Sequence, residues 1–361
     1  MIRIRLARRA GINAWRKSLQ RVIAVALAIF TGALFIKLIG FSPLIIYAGM
    51  LRGVVGSAIS LRETVKIAAP LCVTALGLAL AFRMRFWNIG GEGQITAGAI
   101  AASYFALFQS AMPKPALIIV MSVAAMLAGA ILGIIPAWFH ARFKTNETLF
   151  TLMLNYIAIY TVQYLREGPW KNPRDMGYPK IAMFSPNAQL PRALGVHIGW
   201  IIALALVALV YVYLKHSKQG YELTVVGSNP NTARYAGMPV RRIIIRTAAI
   251  SAALCGLAGM IKAAGADRTL TDGVAGGIGF TAITVAWLAE LQPIGILVVS
   301  VLFSALEKGA GYVQSTYKIS SSAAAVLQGI ILFFVLGSEF FIRRQIIVSR
   351  ITKNKNKAKN V

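Results

Sequence analysis

Long apolar stretches recur along the chain, and short polar segments that carry most of its charge separate them. Stretches of this length can cross a hydrocarbon layer of about 30 Å as helices. We therefore expect an all-α polytopic membrane protein with about ten transmembrane helices. The expected spans lie near residues 22–40, 65–82, 95–110, 116–138, 148–165, 197–214, 243–263, 278–290, 294–312 and 323–341.

The composition agrees with a membrane protein, because 57% of the 361 residues are hydrophobic and only 14% are charged. Cys72 and Cys255 lie inside expected spans, where we interpret them as small apolar residues. The sequence contains no metalloprotease, serine-hydrolase or Walker A motif, and its three histidines lack metal-ligand spacing. We expect neither an enzyme nor a metal site, so the energy for any transport must come from an ion gradient or another subunit.

The basic residues predict the orientation of the chain in the membrane. Most of the 38 lysines and arginines fall on one side if the N-terminus is cytoplasmic, and cytoplasmic loops retain positive charge. With ten spans, both termini are then cytoplasmic: a basic segment 1–21, a transmembrane permease domain 22–342 and a basic tail 343–361, in which "RITKNKNKAKN" is expected to be disordered. We expect the first apolar run to be a retained helix rather than a cleaved signal.

The net charge of +27 does not indicate a nucleic-acid partner, because the basic residues are dispersed among short loops. We expect the basic tail to be attracted to anionic head groups of membrane lipids instead.

Two glycine clusters interrupt the passage from one span to the next, at corresponding places in the two halves of the chain. Spans two to five and seven to ten would then form an inverted repeat. Paired breaks of this kind point to a transport pathway near the membrane midplane, whereas close helix packing is the alternative for either cluster alone. The helix-break glycines are Gly90, Gly91 and Gly93 in the first half and Gly276, Gly277 and Gly279 in the second.

Polar and aromatic residues near the breaks and on span five are the candidates for lining the pathway. An amide such as that of Asn155 would be costly if it faced lipid. Two alternatives remain open: Glu92 can serve as a helix N-terminal anchor, and Asn155 can bond a neighbouring helix. The candidate pathway residues are Asn88, Glu92, Gln94, Asn155, Tyr156, Phe280 and Thr281.

The segment "GSNPNTARYAGMP" predicts a short helix near 229–237, between spans six and seven on the cytoplasmic side. Ser228 or Asn229 can cap its start, Pro230 suits the first helical position, and Gly237 can end it in the left-handed conformation. A helix of about seven residues needs a surface to pack against. That surface is either a cytoplasmic partner, or the protein itself or the lipid.

Four ordered motifs, "FWNIGGEGQITAGA", "TNETLFTLMLNYIA", "GSNPNTARYAGM" and "GIGFTAITVAWLAELQPIGILVVSVLFSAL", resemble the permease subunit of bacterial ABC importers of the sugar, nucleoside and branched-chain amino acid superfamily. The first two motifs look most like the larger permease of nucleoside importers. Trp87 and Thr148 depart mildly from that pattern, where Phe and a β-branched aliphatic residue are expected.

The resemblance implies that the short helix couples to an ABC ATPase subunit, which binds ATP and Mg, while this chain holds no cofactor. It also implies a second, paralogous permease, an extracytoplasmic substrate-binding lipoprotein and a location in the bacterial cytoplasmic (inner) membrane. The coupling residues would be Asn229, Pro230, Ala233, Arg234, Tyr235 and Gly237.

We expect the cargo to be a nucleoside, with a simple sugar such as ribose second and branched-chain amino acids third. Apart from Glu92, no ionisable side chain lies well inside a span to hold a zwitterion, and the aromatic ring of Tyr156 or Trp87 could stack on a base. An ion-coupled secondary transporter is the weaker alternative, because the acidic residues lie mostly at span ends.

Overall fold

The computed structural model describes residues 2–8, 14–173 and 177–350. Within them the chain is predominantly helical. The helices are α1 (Ala14–Leu38), α2 (Pro43–Val55), α3 (Ala58–Arg83), α4 (Gly91–Phe108), α5 (Lys114–Phe143), α6 (Glu147–Glu167), α7 (Gly199–His216), α8 (Lys218–Ser228), α9 (Pro230–Tyr235), α10 (Val240–Met260), α11 (Ile278–Leu288), α12 (Pro293–Tyr317) and α13 (Ser321–Arg343). A π-helical segment, Ile261–Asp267, continues α10.

Each of the ten expected spans overlaps one of these helices. Among the described residues, six helices are long and apolar enough to cross a membrane: α3, α5, α6, α7, α10 with its π-helical continuation, and α12. A seventh span is possible if residues 22–38 and 43–55, which are bent by 116° from each other, count as one. The helices α2 and α8 were not expected from the sequence.

Short strands also occur, which the expectation of an all-α protein did not include. Strand β1 (Ile2–Arg8) pairs antiparallel with β4 (Arg344–Arg350), and β2 (Arg192–Ala193) pairs with β3 (Val196–His197). The segment "IRIRLAR" alternates apolar and basic residues, which is the period of a strand. The expected disordered tail falls largely on residues 351–361, which lie outside the described residues.

The chain divides into two compact units. One unit combines the residues up to Gly53 with those from Gly309 onward, and in it α1 packs against α13 and β1 pairs with β4. The other unit, Val54–Lys308, holds both glycine breaks.

The centre of the Val54–Lys308 unit is α10, which packs against α3, α4 and α5. Glycine permits close approach: a Cβ at Gly259 of α10 would lie 1.9 Å from the carbonyl oxygen of Ile95 of α4, and one at Gly98 of α4 would lie 2.2 Å from the carbonyl oxygen of Gly256. Small residues let helix backbones touch in this way inside membranes.

The connections that charge counting assigns to the cytoplasm meet one another in this unit. Arg83 at the end of α3 donates from Nε to the carbonyl oxygen of Leu291, at 3.3 Å. The backbone of Gly227 in α8 lies against the same residue, because a Cβ there would be 2.0 Å from the Arg83 carbonyl oxygen. The ends of α3, α8 and α11 are therefore at one face of the unit.

Candidate functional site

The first break, residues 84–90, connects α3 to α4 and runs beside the N-terminal part of α6. The backbone N–H of Trp87 points to Glu147 Oε1, the first residue of α6, at 3.4 Å. Two residues further on, the N–H of Ile89 donates to Thr151 Oγ1 at 3.2 Å. The break therefore advances along α6 instead of turning away from it.

Asn155 continues this series of contacts one turn deeper. Its Nδ2 donates to the carbonyl oxygen of Ile89 at 3.0 Å, and its Oδ1 accepts from the N–H of Gly93 at 2.8 Å. At 1.5 Å per residue, Asn155 lies about 12 Å along the helix axis from Glu147. That distance is close to half of a hydrocarbon layer of about 30 Å.

Asn88 and Gln94, two of the expected pathway residues, bond each other across the start of α4. The Nδ2 of Asn88 donates to Gln94 Oε1, and Gln94 Nε2 donates to Asn88 Oδ1, each at 3.1 Å. Asn88 Oδ1 also accepts from the N–H of Gly90 at 3.0 Å. Both side chains are buried, so the amide groups satisfy the broken backbone and each other.

Glu92 joins the first break to the second break, residues 268–277, which lies between the π-helical segment and α11. Its Oε1 accepts from the N–H of Gly277 at 2.7 Å, and its Oε2 accepts from the N–H of Gly279 at 2.8 Å. The residue is only 6% exposed. The carboxylate thus lies at the N-terminus of α11, where the helix dipole and free N–H groups favour an anion. Glu92 therefore binds the start of a helix from the other half of the chain, whereas the alternative interpretation had it anchoring the start of its own helix.

The glycines of the breaks are required by this close approach. Gly277 has φ = +82°, in the left-handed region that favours glycine. A Cβ on Gly279 would lie 2.2 Å from the backbone nitrogen of Glu92. Just after the first break, in α4, a Cβ on Gly93 would lie 2.7 Å from Asn155 Cα. Gly91, Gly93 and Gly279, expected as helix-break residues, thus lie in the first turns of α4 and α11, and these two helix starts meet backbone to backbone.

The remaining expected pathway residues are not part of this buried cluster. Tyr156 and Phe280 expose about half of their surface, and Thr281 is partly buried in the first turn of α11. Trp87 is also half exposed and stacks on Trp287, with ring centroids 5.6 Å apart. The structure thus brings Asn88, Glu92, Gln94 and Asn155 together and leaves the aromatic candidates at the surface of the chain.

The short helix expected near 229–237 is α9, and its local chemistry is as predicted. Asn229 caps it by accepting from the N–H groups of Asn231 and Thr232, at 2.9 and 3.4 Å. Gly237 follows its end with φ = +75°. Tyr235 is 93% exposed, whereas Ala233 is fully buried. Ala233 therefore packs into its own chain, and every other residue of α9, including Arg234 and Tyr235, is exposed.

A second polar cluster, which the sequence analysis missed, lies at the other end of α6. Arg166 Nη1 donates to Tyr178 Oη at 2.5 Å and also to Asp272 Oδ2. Its Nη2 donates to Glu167 Oε1 at 2.6 Å. A cavity of about 560 Å³ adjoins it. No spacing in the sequence links these residues, because Asp272 is 106 positions from Arg166.

Within the described residues, no group of three or more histidines, cysteines or acidic residues could hold a metal ion. Cys72 and Cys255 are buried free thiols.

The helices, the glycine breaks and the capped α9 define a polytopic membrane permease. The family model described as "Branched-chain amino acid transport system / permease component" matches residues 60–336, and the chain belongs to this family. It is an ABC transporter permease, a transport component.

Three relatives match along nearly the whole chain. A glucose ABC transporter permease of Haloferax volcanii is 30% identical over 96% of this chain and 94% of its own length. A nucleoside ABC transporter permease of Lactococcus lactis is 30% identical over 90% and 92%. A guanosine ABC transporter permease of Bacillus subtilis is 31% identical over 88% and 92%.

Proposed function

We propose that this chain forms one half of the translocation pathway of an ATP-driven nucleoside importer, with the meeting point of its two breaks at the constriction. The observation that supports this most is the Glu92 contact to Gly277 and Gly279. Two helices that both begin inside the membrane expose backbone groups there, which is favourable only beside other protein or along a water-filled path.

The expected topology belongs to the same proposal: about ten spans, cytoplasmic termini, and spans two to five inverted relative to spans seven to ten. Reciprocal packing supports the repeat, because α4 of the first half packs on α10 of the second, and α11 of the second packs on α3 of the first. The membrane is the bacterial inner membrane, with the transmembrane domain at 22–342 between the basic segments 1–21 and 343–361.

The partners of the proposed importer are an ABC ATPase subunit that binds ATP and Mg, a second paralogous permease and an extracytoplasmic substrate-binding lipoprotein. The ATPase would receive α9, whose exposed side chains include Arg234 and Tyr235. Asn229, Pro230 and Gly237 hold that helix in shape, and the buried Ala233 fixes it to the permease.

The relatives include both nucleoside and glucose permeases, so they favour uncharged cargo without choosing between these classes. The buried cluster of Asn88, Gln94 and Asn155 is rich in amides, which can exchange hydrogen bonds with ring nitrogens and hydroxyl groups. Exposed aromatic rings at Tyr156 and Phe280 can contact a base face. We therefore keep nucleosides first, simple sugars second and branched-chain amino acids third.

The test is ATP-dependent uptake into liposomes that contain the complete complex purified from a gentle detergent extract. Labelled adenosine, guanosine, ribose and leucine are compared at equal concentration, with a non-hydrolysable ATP analogue as the control. We expect uptake of at least one nucleoside well above ribose and leucine. Uptake of ribose or leucine with neither nucleoside would contradict the proposal.

A further inference from the structure

The cavity beside Arg166 is far from the cytoplasmic side of the proposed topology. Arg166 lies 19 positions after Glu147 on α6, and at 1.5 Å per residue that is about 28 Å, close to the full hydrocarbon thickness. Glu147 faces the first break near its cytoplasmic start, so the cavity lies at the outer end of the helix. Its volume of about 560 Å³ falls in the usual range for small-molecule sites, about 300–1,000 Å³.

Polar groups in the cavity wall have unused hydrogen-bonding capacity. Arg166 is 8% exposed, yet its Nε has no partner within the described chain, and neither does the buried Oδ1 of Asp272. The guanidinium and the carboxylate are bonded to each other through their other atoms. The pair therefore carries one unused donor and one unused acceptor, and leaving both unpaired costs about 1–3 kcal/mol each.

An aromatic ring stands next to this pair. The guanidinium carbon of Arg166 lies 4.5 Å from the centroid of the Tyr178 ring, yet 67% of Tyr178 remains exposed. A cation covers part of the ring while the rest is free to stack on a flat ligand. Stacking of a base on an aromatic side chain is worth about 1–3 kcal/mol.

The cavity also leads toward the proposed constriction along the chain. Its wall includes Thr269 to Gly273, and the next residues, Val274 and Ala275, are buried and apolar. Gly277, which bonds Glu92, lies two residues after Ala275. A ligand in the cavity would thus contact the segment whose other end closes the pathway.

We propose that this cavity is an entry subsite, in which a nucleoside binds before it passes the breaks. The base stacks on Tyr178, while Arg166 Nε and Asp272 Oδ1 pair with an acceptor and a donor of the nucleoside. This inference rests on the proposed function and adds a site on the outer side of the permease.

The first experiment is photolabelling of the two permeases with their ATPase in nanodiscs, without the binding protein, with radioactive 8-azidoadenosine. We expect label in peptides that contain residues 177–183 or 269–273, and displacement by unlabelled adenosine or guanosine. Tyr178→Ala should reduce the labelling about tenfold, as expected for a loss of one base–aromatic stack. Tyr178→Phe should retain it. Tyr164→Ala, on a residue of similar exposure that does not line the cavity, is the matched control and should label as the unaltered protein does.

The second experiment measures ATP-dependent adenosine uptake by the same variants. Tyr178→Ala should raise the half-saturating concentration about tenfold with an unchanged maximal rate, and Tyr178→Phe and Tyr164→Ala should leave both unchanged. Normal nucleoside uptake with no displaceable label in the cavity would overturn the subsite and leave the proposed function intact. Absence of nucleoside uptake in the unaltered complex, with uptake of ribose or leucine, would overturn the proposed function and the subsite together.

Discussion

Replacing Glu92 with glutamine tests whether its carboxylate holds the two halves of the chain together. Glutamine keeps one oxygen acceptor, but its NH₂ group would face the N–H of Gly277 or Gly279, which now donates to a carboxylate oxygen at 2.7 or 2.8 Å. One buried N–H would be left unpaired, at about 1–3 kcal/mol, and the other would bond a neutral acceptor instead of an anion, at about 1 kcal/mol. We expect a total loss of about 2–4 kcal/mol.

The assay uses the only two cysteines of the chain, Cys72 and Cys255, which are buried. A dye that fluoresces on reaction with a thiol reports unfolding as detergent-solubilised protein is heated. At about 2 °C per kcal/mol for a chain of this size, Glu92→Gln should lower Tm by about 4–8 °C.

The matched control is Glu63→Gln, which removes an exposed carboxylate from the same unit. Glu63 pairs with Lys66 at 3.5 Å on the surface of α3, and such pairs contribute about 0–1 kcal/mol. Its Tm should fall by no more than about 2 °C. Equal Tm values for the two variants would refute the view that Glu92 joins the breaks.

Three further outcomes are expected. Asn155→Leu should lower Tm by several degrees, because the N–H of Gly93 and the carbonyl oxygen of Ile89 would each lose a buried partner worth about 1–3 kcal/mol; a Tm equal to that of the unaltered protein would contradict this. Tyr235→Ala should leave Tm unchanged and reduce uptake per ATP hydrolysed, because this side chain is exposed and proposed to contact the ATPase; normal coupling would argue against that contact. Burial lowers the pKa of His197 from 6.5 to about 4. The unfolded chain therefore binds a proton between these values that the folded chain does not, and stability should fall by up to about 3 kcal/mol as the pH drops from 6.5 to 4. The control is a His197→Gln variant, which lacks the titrating group. If Tm falls between pH 6.5 and 4 no more steeply in the unaltered protein than in this variant, the expectation for His197 is wrong.

The breaks could be predicted from the sequence because glycine clusters between apolar runs have a local signature. Their contact could not, because Glu92 and Gly277 are 185 positions apart and no periodicity specifies which helix end a carboxylate reaches. The sequence offered two interpretations of Glu92, as a pathway residue or as an anchor at the start of its own helix. The observed contact, to the start of a different helix, is an anchoring contact whose partner the sequence did not indicate.

For α9 as well, the features that depend on nearby residues could be predicted from the sequence, and those that depend on distant residues could not. Its cap at Asn229 and its end at Gly237 follow from side-chain chemistry within nine residues, and both are present. The direction that Ala233 faces depends on where α8 and α10 lie, so the sequence alone left open whether it packs on the protein itself or on a partner, and only the family resemblance named it a coupling residue. The strand β1 was missed for another reason: its arginines were used only to orient the chain, although their alternation with apolar residues carries structural information as well.

The hydrogen bonds at the breaks bear on how a substrate could pass. Asn88 and Gln94 bond each other, and Asn155 bonds both sides of the first break, so these amides have no role for a ligand while the contacts persist. Each such bond contributes only about 0.5–1.5 kcal/mol net, because a polar substrate or water can replace the lost partner. Opening the break would therefore cost a few kcal/mol in total if every amide and backbone group formed a new hydrogen bond. The cost would be several times larger if these groups were left without hydrogen-bond partners. A cargo with many donors and acceptors lowers that cost, whereas an apolar one does not. The saturated amides are therefore compatible with the proposed polar cargo, since the hydroxyl groups of a sugar or the ring nitrogens of a nucleoside could take over their hydrogen bonds.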